Sequence, residues 1–534
     1  MHLGLDLDNT LIRYDQAFHA VAVEWRLVGA AFPASKQAIR AELRARPDGE
    51  REWTRLQGEV YANRMDLAEL APGAERLLQA CRSRDVRVSI VSHKTVHPAI
   101  GPRVDMREVA LSWMERAGLL SPTVLSRDQV WFEETRAAKA ARIAALGCTH
   151  FVDDLVEVFE EPLFPPDTVR ILCGRDLEPD GPSEREAYPS LDVVGDRLFG
   201  VPDAGAWDAA ELRRLVEDME QGTRAFETLY QGLNSAVLGH SLPSGALIVA
   251  KVYPRVGDDP RDRAGTEFRT SRFLWENHVW KVPKPAHADT GRQIGLYKRI
   301  AGARLRPEDV TIGDVDQAVD FLLDLQRLRP HARENRIPPA SEACFSVAEH
   351  LDVLDVRLRR LLDALPPACE ARTFLEESFR PCLARAVDPE GDTGSRLPEA
   401  EWILSPSDFG FHNALRGEHG ILVFHDLEYF GWDDPAKLLS DALLQPDFPI
   451  PARHRTRFLG RLRAGLGLGE VFERRFRLVY PLLALKWALI VLNGFLPDRR
   501  LPRGWVPAAQ LEKARREVAE AERALGLGAV PEAR

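Results

Sequence analysis

"LSPSDFGFHNAL", residues 404–415, sets Asp408 five positions ahead of Asn413. One short loop then carries an acid that can orient a hydroxyl and an amide that can meet a divalent cation, the spacing of a phosphoryl-transfer loop. The position two before the acid, usually His in such loops, is Pro406. Upstream, "YQGLNSAVLGHSLPSGALIVAKVYP" (230–254) reads as a glycine turn followed by two strands. Backbone amides at Gly232, Asn234 and Ser235 can lie over phosphates there, with the Lys251 ammonium beside them. Glu267, in the helical pattern "AGTEFRTSRFLWEN", can pair with Lys251 and fix its direction. Downstream, Asp426 ends the apolar run of "GILVFHDLEYFGWDDPAKLLSDAL". Asp434 before Pro435 reads as a helix N-cap with Pro at the first helical position, and His412 and His425 read as loop hydrogen-bonders. The pattern G-x-x-x-x-G-K-[ST] is absent, which argues against the other main phosphate-loop architecture.

The same chain opens with "LDLDNTL", residues 5–11. Asp6 and Asp8 follow an apolar strand, and they suit a carboxylate nucleophile and a carboxyl group that gives and takes protons. Ser92 ends "RVSIVS", Lys139 lies in "TRAAKAARIAALG", and Asp153 and Asp154 end "THFVDD". The strand patterns "HLGLDLD", "DVRVSIVSHK", "CTHFVDD" and "TVRILCG" alternate with helical ones, which predicts a parallel sheet with crossover helices.

At 534 residues the chain is too long for one core, and its 45% hydrophobic and 28% charged composition is that of a folded multidomain protein. A formal charge of −10 offers no global basic field for nucleic acid or an anionic membrane. The six cysteines contain no C-x-x-C pair, so reduced, buried thiols are expected rather than zinc or a disulfide framework. No leader pattern opens the sequence, and the apolar run from Tyr480 is interrupted by Lys486; a cytoplasmic protein without a membrane span is expected. The stretch from 175 to 205, rich in Pro, Gly and Asp, reads as a connector. Beyond it a strand pattern gives way to mainly helical patterns such as "DVDQAVDFLLDLQRL" and "AAQLEKARREVAEAERAL".

The four N-terminal stretches, in their order, resemble the motifs of the haloacid dehalogenase-like (HAD) hydrolases. That resemblance implies an α/β Rossmannoid domain over residues 1–180 with a helical cap at about 14–71, followed by a linker at 181–221. It implies a Mg²⁺-dependent phosphatase in which Ser92 bonds the phosphate, Lys139 stabilises the intermediate, and Asp6, Asp8, Asp153 and Asp154 form the metal set. Residues 222–534 resemble the aminoglycoside phosphotransferase (APH) and choline kinase-like family. This implies a bilobal α+β kinase-like domain with a small lobe at 222–303 and a helical lobe at 304–534. The implied roles are Asp408 as base or acceptor-orienting group, Asn413 and Asp426 as Mg²⁺ ligands, and Lys251 on the ATP phosphates. The sparse glycine loop and Pro406 depart from that family's pattern.

Together these readings predict a bifunctional enzyme that removes phosphate from one small metabolite and phosphorylates a hydroxyl of another, such as a sugar or polyol in surface-glycan or nucleotide-sugar synthesis. Two alternatives stand beside it. One is a nucleic-acid end-healing kinase and phosphatase, which the acidic balance disfavours. The other is a regulatory or scaffold protein with one catalytically dead domain.

Overall fold

The computed structural model describes residues 1–121, 124–174, 186–203, 205, 207–232, 235–254, 261–387, 394–446, 448–497, 501 and 505–527. The chain forms two units, Met1–Phe199 and Gly200–Arg534.

The first unit begins with β1 (His2–Leu5), then α1 (Asp15–Glu24), α2 (Lys36–Arg44), α3 (Gly49–Asn63) and α4 (Ala74–Arg82). It continues with β2 (Arg87–His93), α5 (Met106–Arg116), β3 (Val130–Glu133), α6 (Arg136–Leu146), β4 (His150–Asp153), β5 (Val169–Cys173), β6 (Glu186–Tyr188) and α7 (Leu191–Phe199). The strands form one parallel sheet in the order β3-β2-β1-β4-β5-β6. Every residue of β1 and β4 is buried, as a strand covered on both faces requires. Gly4 is opposite Phe151, and a Cβ at Gly4 would meet that ring at 2.4 Å. Glycine is what lets the aromatic ring fill the space between β1 and β4. Helices α1 to α3 form an insertion whose ends, Ile12–Arg13 and Glu69–Leu70, pair antiparallel. Ser35 caps α2, accepting from the Ala38 amide, and Thr135 caps α6 in the same way through Ala138.

The expected linker at 181–221 is not a linker over its described part. Glu186–Tyr188 adds the sixth strand, and α7 buries Leu191, Val194, Leu198 and Phe199 in the first unit's core. Those residues carry a helical apolar spacing that the surrounding Pro, Gly and Asp conceal. The later part of the same stretch is α8 (Ala209–Gln221), whose Leu212, Leu215 and Val216 belong to the second unit.

That unit continues with β7 (Glu227–Gln231), β8 (Ala236–Ser241), β9 (Leu247–Val252), α9 (Arg263–Glu276), β10 (Pro285–Asp289) and β11 (Ile294–Lys298). The strands form an antiparallel sheet ordered β10-β11-β9-β8-β7, with α8 packed on its buried Ile248, Ala250 and Leu296. A larger helical core follows, built on α10 (Ile312–Arg327) and α11 (Val347–Ala364). Short strands β12 (Ile403–Ser405), β13 (Ala414–Arg416), β14 (Leu422–Phe424) and β15 (Gly431–Asp433) pair β12 with β15 and β13 with β14. Then come α12 (Pro435–Leu444), α13 (Arg455–Leu466), α14 (Glu470–Val491) and α15 (Pro507–Leu527). Among the described residues, α14 with its extension to Phe495 is the only helix long and apolar enough to cross a membrane, and it packs within this core through Phe476, Val479, Leu483 and Leu485. None of the six cysteines is in a disulfide; five are buried and Cys369 is half-buried.

Candidate active sites

In the first unit the motif residues meet at the carboxyl end of the three central strands, where a parallel sheet presents its loops. Asp6 follows β1, Ser92 is near the end of β2, and Asp153 closes β4. Helix α6 delivers Lys139, whose Nζ lies 2.5 Å from Asp6 Oδ1 and 2.7 Å from Asp153 Oδ2. All three groups are buried. Carboxylate oxygens of Asp6, Asp153 and Asp154 lie within 4.8 Å of one another. Burial is the main force raising the Asp6 carboxyl far above its ordinary range; Lys139 opposes it, while Asp153, Asp154 and Asp8 add to it. Asp154 is pushed up to about 6 by burial and by Asp153. Three crowded carboxyls share one ammonium, so a divalent cation suits the cluster. Ser92 Oγ and Thr10 Oγ1 are buried without a hydrogen-bond partner among the described residues, which leaves hydroxyl donors for an anionic oxygen.

Asp8, expected in the same metal set, is not among the three grouped carboxylates. Its carboxylate is outside the cluster, with Oδ2 2.8 Å from Lys94 Nζ and Oδ1 accepting from the Tyr14 hydroxyl at 2.5 Å. Although burial pushes the Asp8 carboxyl up, Lys94 and Tyr14 hold it below its usual range.

The insertion supplies groups that spacing did not reveal. Lys36, the first residue of α2, donates to Tyr61 Oη at 2.9 Å and to Asn9 Oδ1 at 3.2 Å. Asn9 in turn donates to Asp154 Oδ2 at 3.0 Å. Asn9 lies inside the opening motif and Lys94 two residues past Ser92, so both could be noticed locally; nothing near Lys36 or Tyr61 marks them.

In the second unit the β7–β8 hairpin closes with the Gly232 amide donating to Ser235 O at 2.9 Å. Asn234 lies outside the described residues. Val237, two residues past Ser235, is the register partner of Lys251 on β9. Lys251 Nζ lies 2.7 Å from Glu267 Oε2 on α9 and is ion-paired with Asp426. The Tyr253 hydroxyl also donates to Glu267. Burial opposes charge on the Lys251 amine, but Glu267, Asp426 and Glu428 outweigh it and keep the amine strongly protonated. Asp426 feels the same opposition: burial raises its carboxyl, and Lys251 brings it below the usual range.

Strand pairing brings Asn413 next to the residue that precedes Asp426. Ala414 is opposite Phe424, so Asn413 and His425 are neighbours, and the His425 amide donates to Asn413 O at 2.9 Å. Asn413 Nδ2 donates to Asp408 O at 2.9 Å, so the amide's donor side faces its own loop. Asp408 is half-buried, with Oδ1 3.2 Å from His412 Nε2. Asp426 has φ +69 and Ser407 φ +68, two non-glycine residues in the left-handed region on either side of the site. Asp434 caps α12 as its position before Pro435 implied, accepting from the Ala436 amide at 2.8 Å.

Glu428 is a further site residue, visible in the sequence only as the second acid of "DLE". Glu267, Asp426 and Glu428 present oxygens within 4.8 Å of one another, a second carboxylate cluster fit for a cation. Burial, reinforced by Asp426, lifts the Glu428 carboxyl to about 8 against the pull of Lys251.

No family model matches the chain, and no curated protein matches it. Solved structures similar to it include the aminoglycoside phosphotransferase APH(2'')-IIa in complex with streptomycin and ATP, 18% identical over 60% of this chain and 98% of that one, TM-score 0.38. A choline/ethanolamine kinase family protein from Mesorhizobium loti is 18% identical over 59% of this chain and 98% of that one, TM-score 0.38. A Plasmodium vivax ethanolamine kinase is 13% identical over 58% and 84%, TM-score 0.37.

Proposed function

We propose that the chain joins two Mg²⁺-dependent phosphoryl-handling enzymes: an ATP-dependent kinase of a small-molecule hydroxyl in the second unit and a phosphomonoesterase in the first. One observation carries both halves. In each unit a buried lysine bridges carboxylates remote in sequence, Lys251 between Glu267 and Asp426 and Lys139 between Asp6 and Asp153, beside a carboxylate trio able to hold a cation.

In the kinase half, bound Mg²⁺ would neutralise charge on the ATP phosphates. Asp426 and Glu428, with Asn413 Oδ1, are the residues to hold it. Glu267 fixes the direction of the Lys251 ammonium, which meets phosphate oxygens. Asp408, half-exposed, accepts the proton of the acceptor hydroxyl as that oxygen attacks the γ-phosphorus of ATP and ADP leaves with the bridging oxygen. Sugars and polyols are the first acceptors to test, since the loop requires only a hydroxyl within reach of Asp408.

In the phosphatase half, a Mg²⁺ ion held by Asp6, Asp153 and Asp154 would screen phosphate charge. A carboxylate oxygen of Asp6 attacks phosphorus as the ester oxygen leaves. Ser92 and Thr10 hydroxyls bond the phosphoryl oxygens, and Lys139 offsets their charge. Asp8, beside Tyr14 and Lys94, serves the proton passed to the leaving oxygen and then taken from the attacking water.

The test is a metabolite panel scored on the full chain for phosphate release and for ATP consumption, with Asp6→Asn and Asp426→Asn in parallel. Each variant is expected to silence one activity and spare the other. Activities unaffected by either substitution would remove this reading.

A further inference from the structure

Three lysines converge on the first unit's site, and the chain neutralises two of them. Lys139 is paired with Asp6 and Asp153, and Lys94 with Asp8. Lys36 has no carboxylate in ion-pair contact among the described residues; both its hydrogen bonds end on uncharged oxygens, Tyr61 Oη and Asn9 Oδ1. Its placement is nonetheless built. The Lys36 amide donates to Asp15 Oδ1 on α1 at 2.8 Å, and its Nζ lies 5.6 Å from the Tyr61 ring centroid, with Lys94 Nζ 4.8 Å from the same ring. Tyr61 is itself held edge-on by Tyr14 at 4.8 Å. Burial opposes the Lys36 charge, and Tyr61, Asp154 and Asp8 more than offset that, so the group is a cation. A half-buried cation whose hydrogen-bond acceptors among the described residues are both uncharged, fixed by two helices and an aromatic wall, is a site for an anion.

That anion need not be the phosphoryl group that reacts. Ser92 and Lys139 lie with Asp6 on the sheet side, whereas Lys36 comes from the helical insertion and is hydrogen-bonded to the carboxylate cluster through Asn9. We infer that Lys36 determines specificity, receiving a second anionic group, a carboxylate or another phosphate, on the part of the substrate that leaves with the ester oxygen. This rests on the phosphatase reading, and it narrows the substrate class to small phosphomonoesters that carry a second anionic group besides the phosphate.

The experiment compares the full-length wild type, Lys36→Ala, Lys36→Arg and Asp6→Asn on two probe sets. 2-Phosphoglycolate and 3-phosphoglycerate carry the second anion; ethyl phosphate and glycerol 1-phosphate lack it. The wild type is expected to prefer the first set, and Lys36→Ala to lose roughly 10- to 100-fold in kcat/KM on that set, mainly through KM, the range of a hydrogen bond to a charged group. Activity on the second set changes little, which also reports that the variant is folded, and Lys36→Arg restores most of the loss. Equal loss on both sets, or a wild type with no preference, overturns the assignment of Lys36 while leaving the phosphatase intact. Absence of any Asp6-dependent phosphate release from either set overturns the phosphatase reading and this inference with it.

Discussion

Lys437 donates to the Ser407 hydroxyl at 3.0 Å, so the loop that carries Asp408 is tied to α12 by a buried cation. The same ammonium lies 2.8 Å from Asp433 Oδ2 and 3.2 Å from Asp441 Oδ2, and Trp487 donates to the other oxygen of Asp441 at 2.9 Å. Pro406 has no side-chain donor, and this ion cluster holds the loop through Ser407. Lys437→Met should strand two buried carboxylates and cost about 3–5 kcal/mol, the usual penalty for breaking a buried ion pair. Adding Asp433→Asn should recover part of that stability without restoring phosphoryl transfer. Thermal melts beside single-turnover transfer separate the two effects; a Lys437→Met variant as stable and active as wild type would show that the brace is idle.

Asp408 and Asp426 should fail differently. Asp408→Asn is expected to bind Mg·ATP normally and to lose about 10²- to 10⁴-fold in turnover, the range for proton transfer by a positioned side chain. Asp426→Asn should weaken Mg²⁺-dependent ATP binding as well, because a hard cation loses an anionic ligand. Glu428→Gln should follow Asp426→Asn in direction. Calorimetric titration with ATP, with and without Mg²⁺, gives the answer, and normal metal-dependent binding in both Asp426→Asn and Glu428→Gln would exclude their assignment as ligands.

Asp6→Asn should reduce phosphate release from an aryl phosphate to background, since an amide cannot serve as the nucleophile. Asp8→Asn should leave slower turnover, down about 10²- to 10⁴-fold on alkyl phosphates. Burst kinetics on the two variants distinguish the roles: phosphate release by Asp6→Asn at the wild-type rate would rule out covalent chemistry there.

Glu517 supplies a pH signature of stability away from both sites. It lines a cavity of about 200 Å³ with Tyr480, Glu520 and Arg455. Burial, reinforced by Glu520, lifts its carboxyl to about 8 despite Arg516, Arg455 and Arg523. Between the ordinary glutamate range and pH 8 the folded chain therefore holds more proton than the unfolded chain, and stability falls as pH rises. Glu517→Gln removes this loss, so its melting temperature should match wild type near pH 4.5 and exceed it at pH 8.5, by about 2 °C for each kcal/mol recovered. Scanning calorimetry at the two pH values checks it; a difference independent of pH would refute it.

Local pattern alone decided much of this protein. Alternating apolar strands and helices laid out the first unit's sheet, and the candidates Asp6, Lys139 and Asp153, like Lys251, Glu267 and Asp426, which the fold gathers into two clusters, were each marked by the residues beside them. Each is fixed at or near the end of a strand or on a helix face, which nearest-neighbour chemistry dictates. Composition misled where it masked periodicity: the apolar spacing of Leu191, Val194 and Leu198 makes α7, although the Pro- and Gly-rich stretch around it reads as a connector. Partnerships were beyond local pattern. Asp8 looks like a fellow of Asp6 in the chain, and only the fold gives it to Lys94 and Tyr14. Lys36 and Lys437 are ordinary helix lysines by spacing, and their roles exist because folding places one over Asn9 and the other beneath Ser407. Lys251 and Asp426 are 175 residues apart, and contact at such separation is set by how helices and strands pack rather than by any period along the chain.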